Sequence, residues 1–247
     1  MLRFQIEPKS FIIAAVIHLA EGVDIAPVAE GPDLLGEWGD TTADPDILRR
    51  YQAVSAGTRW GQALGSAKLH GLIFFNLRHR VPDWPLLTRG IQELLGNGPQ
   101  YLFLGAGPAA KKLLQRRNQV RTEIHRLVGF TRLAPAPDGT MVGKAPVRHH
   151  SGDLVALALA RRNPEQPLAL LTPTGSWFAW QGRVAPLEDN YYDLPDDGFG
   201  QVWLTYYRSQ FIRERNNPRH GARAIPQEYW HWLDEGKEML AAKQDKA

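Results

Sequence analysis

Between residues 108 and 128 the chain offers one long helix with a single apolar stripe, and the rest of the fold has to pack around it. Leu113, Val120, Ile124 and Leu127 recur at spacings of seven, four and three, as one buried helical face requires. Arg117, Arg121 and His125 recur at four-residue steps on a stripe beside that face. Gly129 is expected to end the helix as a left-handed cap. The texture of the sequence changes across this helix. Before it, a short strand within Met1–Glu7 leads to helices expected over 10–21, 44–55, 58–77 and 83–95, with Ser10 capping the first and Asp44-Pro45 opening the second. Residues 22–45 are rich in Gly, Pro and Asp and read as loop. After it, Phe130–Leu133 and Thr140–Val147 read as strands around a Pro-Asp-Gly turn, and 153–162 as a helix. Leu168–Thr172 and Ser176–Trp180 flank a hairpin-type turn at Pro173-Thr174-Gly175. Helices are expected over 198–213 and from Pro226 onward. The fold class is therefore α+β: a mostly helical N-terminal half, then a long helix packed on a small antiparallel sheet, closed by aromatic-rich C-terminal helices. The expected divisions are a helical region 1–106, an α+β core 107–240 and a frayed tail 241–247.

Composition narrows the chemistry. The 247 residues include no cysteine, so the chain has no disulfide, no thiolate nucleophile and no cysteine ligand for zinc or an iron–sulfur cluster. The most apolar run, Phe11–Ile17, falls well short of the roughly 20 residues that span a bilayer. No small-residue cleavage site follows it, so the expected location is the cytoplasm, away from the membrane. Charge is unevenly placed. Residues 1–110 hold 9 Lys+Arg against 11 Asp+Glu (−2), residues 111–223 hold 17 against 10 (+7), and residues 224–247 hold 3 against 5 (−2). A basic excess confined to one stretch is what a localised anion-binding face would produce.

Most motifs read as ordinary structure. Gly105-Ala106-Gly107-Pro108-Ala109-Ala110 matches the G-x-G-x-x-A dinucleotide fingerprint and follows the apolar run Tyr101–Leu104. The acidic residue expected about 20 positions on would be Glu123, inside the same helix, so a glycine turn before a helix is the better reading. His149 and His150 are adjacent, which in a strand sends the rings to opposite faces, away from a shared metal. Glu188, Asp189, Asp193, Asp196 and Asp197 lack calcium-loop spacing and read as a solvated loop. The segment Trp203–Trp230 is different, because it carries five arginines among closely spaced rings. Rings supply stacking area and guanidiniums supply planar donors for phosphate. Trp203 and Tyr206 are expected in the core. Arg215 is expected to be buried and paired with Glu123 or another nearby carboxylate.

Three strings carry a family resemblance: Val120, Arg121, Glu123, His125, Arg126, Gly129, Phe130 and Arg132; then Ala160-Arg161-Arg162 with Pro164, Gln166 and Pro167; then Trp203, Tyr206, Tyr207, Ile212, Arg215 and Asn216 followed by Pro226, Tyr229 and Trp230. In this order, over roughly residues 110–236, they resemble the DUF4130 family, a domain of unknown function. Its members are usually encoded beside a radical-SAM protein proposed to act in DNA repair or modification, and some are fused to a uracil-DNA-glycosylase-type domain. The family's common D-G-S-F opening appears here as Glu7-Pro8-Lys9-Ser10-Phe11.

The resemblance implies a DNA-associated accessory protein acting with a radical-SAM partner that carries the iron–sulfur cluster and S-adenosylmethionine, with no cofactor in this chain. Arg117, Arg121, His125, Arg132, Arg208, Arg213, Arg215 and Arg219 would meet single-stranded or damaged DNA, with Trp203, Tyr207 or Trp230 stacking on an unpaired base. His125, Arg121, Arg132 and Arg215 are expected to line one basic cleft. Two other readings stand beside this one. One is an enzyme acting directly on a damaged or modified base, with Glu123 and His125 as acid and base. The other is an assembly subunit whose arginines meet an acidic protein partner.

Overall fold

The computed structural model describes residues 1–28, 40–188, 191, 192, 202, 204–206, 209, 227–233 and 236. The chain divides between Arg121 and Thr122 into two compact units.

In the first unit, β1 (Leu2–Phe4) pairs in parallel with β2 (Ile25–Pro27), and α1 (Pro8–Glu21) connects them. The stretch 22–45 is thus not all loop. A three-residue strand is too short to show alternation and is recognised only by its partner. Ser10 is not the cap of α1. Pro8 takes the first helical turn, which suits its fixed φ. Ser10 is buried and uses its hydroxyl otherwise, accepting from Gln5 N (2.8 Å) and bonding Thr42 Oγ1 (2.7 Å). Asp44 does cap α2 (Pro45–Gly57), accepting from Asp46 N at 2.7 Å.

The helix expected over 58–77 is broken. A 3-10 turn, Gly61–Gly65, precedes α3 (Ala67–Leu77), which Ser66 caps. At Gly61 the chain passes so close to the Ser55 carbonyl that no Cβ fits. Next come α4 (Trp84–Asn97), α5 (Pro99–Phe103) and α6 (Pro108–Phe130), and the boundary between the units falls within α6. Leu69, Leu72, Leu87, Ile91 and Leu113 form the core with Phe4 and Phe11, whose rings meet edge to face at 5.2 Å. Asn76 is a polar residue within this core. It is fully buried, and its Nδ2 donates to Leu72 O (2.8 Å) and Leu113 O (3.1 Å), tying α3 to α6.

The second unit begins with the end of α6. The helix runs through Gly129 to Phe130 without the left-handed cap expected there, so Phe130 is helix and not strand. A five-stranded sheet follows, in the order β3 (Leu133–Pro135), β4 (Met141–Lys144), β5 (Leu168–Leu171), β6 (Ser176–Trp180), β7 (Arg183–Leu187). It is mixed, not antiparallel: β4 and β5 run parallel, and α7 (Gly152–Arg162) lies in the crossover between them. Parallel neighbours need such a crossover, which local turn signals do not reveal. The edge strand β7 was likewise not expected from the sequence. It contains Pro186, tolerated because a proline at the edge breaks no interior ladder. Gln181 and Gly182, both at positive φ (48° and 76°), make the tight turn from β6 to β7.

Leu127, Val155, Leu159, Leu168, Leu170 and Tyr229 share the core of this unit. Gln227–Trp232 form a 3-10 helix where an α-helix was expected. Tyr206 is 56% exposed and not a core residue, and Val202 on the same helical side is 63% exposed. Most of the expected helix 198–213, including Trp203, lies outside the described residues.

Two glycines should respond oppositely to alanine. At Gly61 a Cβ would sit 1.8 Å from the Ser55 carbonyl oxygen. Gly61→Ala should therefore cost about 1–3 kcal/mol, as overpacking does. At Gly71, inside α3, a Cβ meets nothing within 4 Å. Gly71→Ala should stabilise by about 0.5–1 kcal/mol. Urea unfolding of both variants checks the pair.

Candidate functional site

Two constellations of charged residues stand out, one in each unit. In the second unit the central group is Glu123, which the last two turns of α6 carry into the interior with only 4% exposure. Its Oε1 accepts from Arg148 N (3.1 Å) and its Oε2 from His149 N (3.0 Å), with the Ser151 hydroxyl at 3.5 Å. Arg148 Nε lies 3.7 Å from Oε1, and the Arg148 guanidinium sits over the Tyr229 ring, 5.4 Å from its centroid. Arg148 Nη2 also donates to the Tyr229 hydroxyl (3.3 Å). The first and third strings of the sequence pattern thus meet through Arg148, which belongs to neither. Burial raises the Glu123 carboxyl above its ordinary value. The backbone bonds from His149 and Arg148, the Arg148 charge and the Ser151 hydroxyl oppose that shift.

Glu123 and His125 do not converge. Two residues apart on a helix, they point to nearly opposite sides, Glu123 inward and His125 to solvent. Arg132 is half-buried. Tyr229 and Trp230 are each 2% exposed, so Trp230 is a core anchor and offers no open ring face for stacking. His149 is buried and His150 exposed, on opposite sides of their turn. Tyr207, Arg208, Arg213, Arg215 and Arg219 lie outside the described residues, as does any pairing of Arg215. Among the described residues, no cluster of His, Asp or Glu is arranged to hold a metal ion.

In the first unit the glycine fingerprint proves to be a closed site. The residues before it form α5, not a strand. The N-terminus of α6 is already filled, because Glu93 of α4 accepts from Ala109 N (3.1 Å) and Ala110 N (2.9 Å). A helix N-terminus attracts anions, and here the anion is internal. A Cβ at Gly107 would lie 2.4 Å from the Glu93 carboxylate, so a side chain there would have to displace this contact.

Along the rest of α6 the cations divide by burial. Arg116 is buried and donates to Val81 O. His79, also buried, bonds Gln119 at 3.1 Å. Desolvation holds its pKa below the ordinary histidine value, with the Arg116 charge acting in the same sense. Arg117 is half-buried and Arg121 exposed, and among the described residues no carboxylate lies within ion-pair distance of either. Arg121 reaches α3, with its guanidinium 5.9 Å from the Phe75 centroid. No residue of α3 was among those expected at a site. The signal was present, since residues 47–82 contain six Lys+Arg and no Asp or Glu.

These features define an α+β protein in which Glu93 and Glu123 serve the backbone, while on α6 Arg116 is buried, Arg117 half-buried and Arg121 exposed. The chain belongs to the DUF4130 family, a domain of unknown function, which matches residues 83–235 and so more than half of its length. No curated protein and no solved structure matches it. Among the described residues, no helix is long and apolar enough to cross a membrane.

The Glu123 carboxyl gives a pH test. Its folded pKa lies above its ordinary value of 4.5, so its stabilising contribution is complete below that value and is lost as pH rises through the folded pKa. Glu123→Gln removes the titration. The stability advantage of the native protein over this variant should therefore shrink as pH rises from the ordinary carboxylate range toward neutrality. Denaturant unfolding at a series of pH values measures it, and a widening advantage would contradict the sign.

Proposed function

We propose that the protein is a DNA-associated accessory subunit of a repair or base-modification system, acting beside a radical-SAM partner. One observation carries the reading. α3 and α6, tied through Asn76, come from two stretches, residues 47–82 and 94–122, that together hold eleven Lys+Arg and no Asp or Glu. A surface built from such stretches favours a polyanion, and phosphate contacts would dominate its affinity. Arg117 and Arg121, one turn apart on α6, would be among the contributing cations. With no cysteine in the chain, an iron–sulfur cluster and its S-adenosylmethionine belong on the partner.

The reading as an enzyme acting on a base has less behind it. It needs Glu123 free to move a proton, yet both of its oxygens are bound by backbone N–H groups. The same cationic surface would also suit an acidic protein, and the test separates the two partners. Binding of labelled single-stranded and duplex DNA, followed between about 50 and 200 mM salt, should weaken steeply as counterions are retaken. Replacing Arg117 and Arg121 together with alanine should flatten the salt slope by about two, one for each phosphate no longer neutralised. Failure to bind either DNA at low salt would sink the DNA reading and leave the acidic protein partner.

A further inference from the structure

We infer that Phe74 and Phe75 of α3 and Arg78 at its C-terminal end, with Arg121 of α6, form a stacking platform for the unpaired bases of single-stranded DNA. The inference rests on the DNA association proposed above and names the form of DNA recognised. The two phenylalanines are half-buried and meet edge to face, with centroids 5.3 Å apart and planes at 83°. Each carries a guanidinium: Arg78 lies 4.5 Å from the Phe74 centroid and Arg121 5.9 Å from the Phe75 centroid. A guanidinium over a ring adds a planar cation on which a base can stack. Duplex DNA keeps its base faces covered, so such a surface gains most from an unpaired strand.

The support beneath the platform is rigid. Leu72, Ile73 and Leu77 are buried behind it, and Asn76 fastens α3 to α6. The arrangement also extends. Arg59 sits over Trp60 at 5.0 Å and Lys68 near Phe103 at 6.0 Å, so the described residues of this unit hold four cation–ring pairs. All eight partners come from the two stretches without carboxylates. Lys68 lies seven residues before Phe75, on the same side of α3 and about 10 Å along it. Beside Lys68 an open cleft of about 530 Å³ is lined by Phe103 and Leu104, and Leu104 is 80% exposed. A strand crossing Phe75 therefore has a second ring and cation along its path.

The test compares oligothymidylate with a duplex of equal length. The native protein should prefer the single strand by about tenfold or more, the worth of one stacked base. Arg78→Lys with Arg121→Lys keeps the charge but removes the planes, and Phe74→Leu with Phe75→Leu keeps the bulk but removes the rings. Each pair should bring the preference down to near parity, while salt dependence persists. A second measurement needs no variant: 5-iodouracil placed in the single strand should photo-crosslink to the peptide containing Phe74 and Phe75. Equal binding of strand and duplex by the native protein, or crosslinks confined to other elements, overturns the platform while DNA association stands. Absence of salt-dependent binding to both overturns the DNA association and the platform with it.

Discussion

The second unit closes on the carboxylate of Glu123, and most of its remaining geometry follows from that contact. A buried carboxylate is costly unless hydrogen bonds replace its water, and Glu123 takes two from consecutive backbone N–H groups at Arg148 and His149. The benefit is mutual, since His149 is itself buried and its N–H needs an acceptor. Fixing these two residues fixes the loop between β4 and α7, and so the start of α7 at Gly152. There the packing is tight enough that a Cβ would lie 2.5 Å from the Trp177 indole nitrogen. It also sets Arg148 over Tyr229, which brings the C-terminal 3-10 helix into the core. The arginine serves packing as much as charge.

The first unit uses the same device at another place. Glu93 supplies a carboxylate to the first N–H groups of α6, where the helix dipole favours negative charge. Two glutamates thus serve the backbone, one at the beginning of α6 and one near its end. Neither is available to neutralise the arginines on the outer side of the helix, so Arg117 and Arg121 keep their field toward solvent. The same engagement argues against the sequence's two most enzyme-like features, the glycine fingerprint and the Glu123–His125 pair. In each, the reactive or ligand-binding position is already occupied by the chain itself.

The long elements were legible in the sequence because their signals are local. α6 announces itself through Leu113, Val120 and Leu127, all of them fully or almost fully buried. Asp44 and Pro45 mark the start of α2 by side-chain chemistry that acts within two residues. What stayed hidden depends on partners distant in sequence. β2 is defined by Leu2 and Phe4, more than twenty residues earlier. The parallel pairing of β4 with β5 depends on where α7 packs. Gly129 illustrates a different failure: glycine permits a left-handed cap without requiring one, and α6 continues one residue further to Phe130.

The platform on α3 was hidden by averaging. Across residues 1–110 the balance is −2, which suggests nothing, yet residues 1–46 hold two cations against nine carboxylates and residues 47–82 hold six against none. A window that straddles both cancels them. Folding separates what the average combines, because Asn76 and His79 hold α3 beside α6, whose own stretch lacks carboxylates. Charge in a sequence becomes a surface property only once topology decides which segments are neighbours. Here the topology joins two basic segments across some forty residues, and it places Phe74 and Phe75 where their rings carry Arg78 and Arg121. A helix that reads alone as apolar becomes, beside its partner, a surface that joins rings to cations.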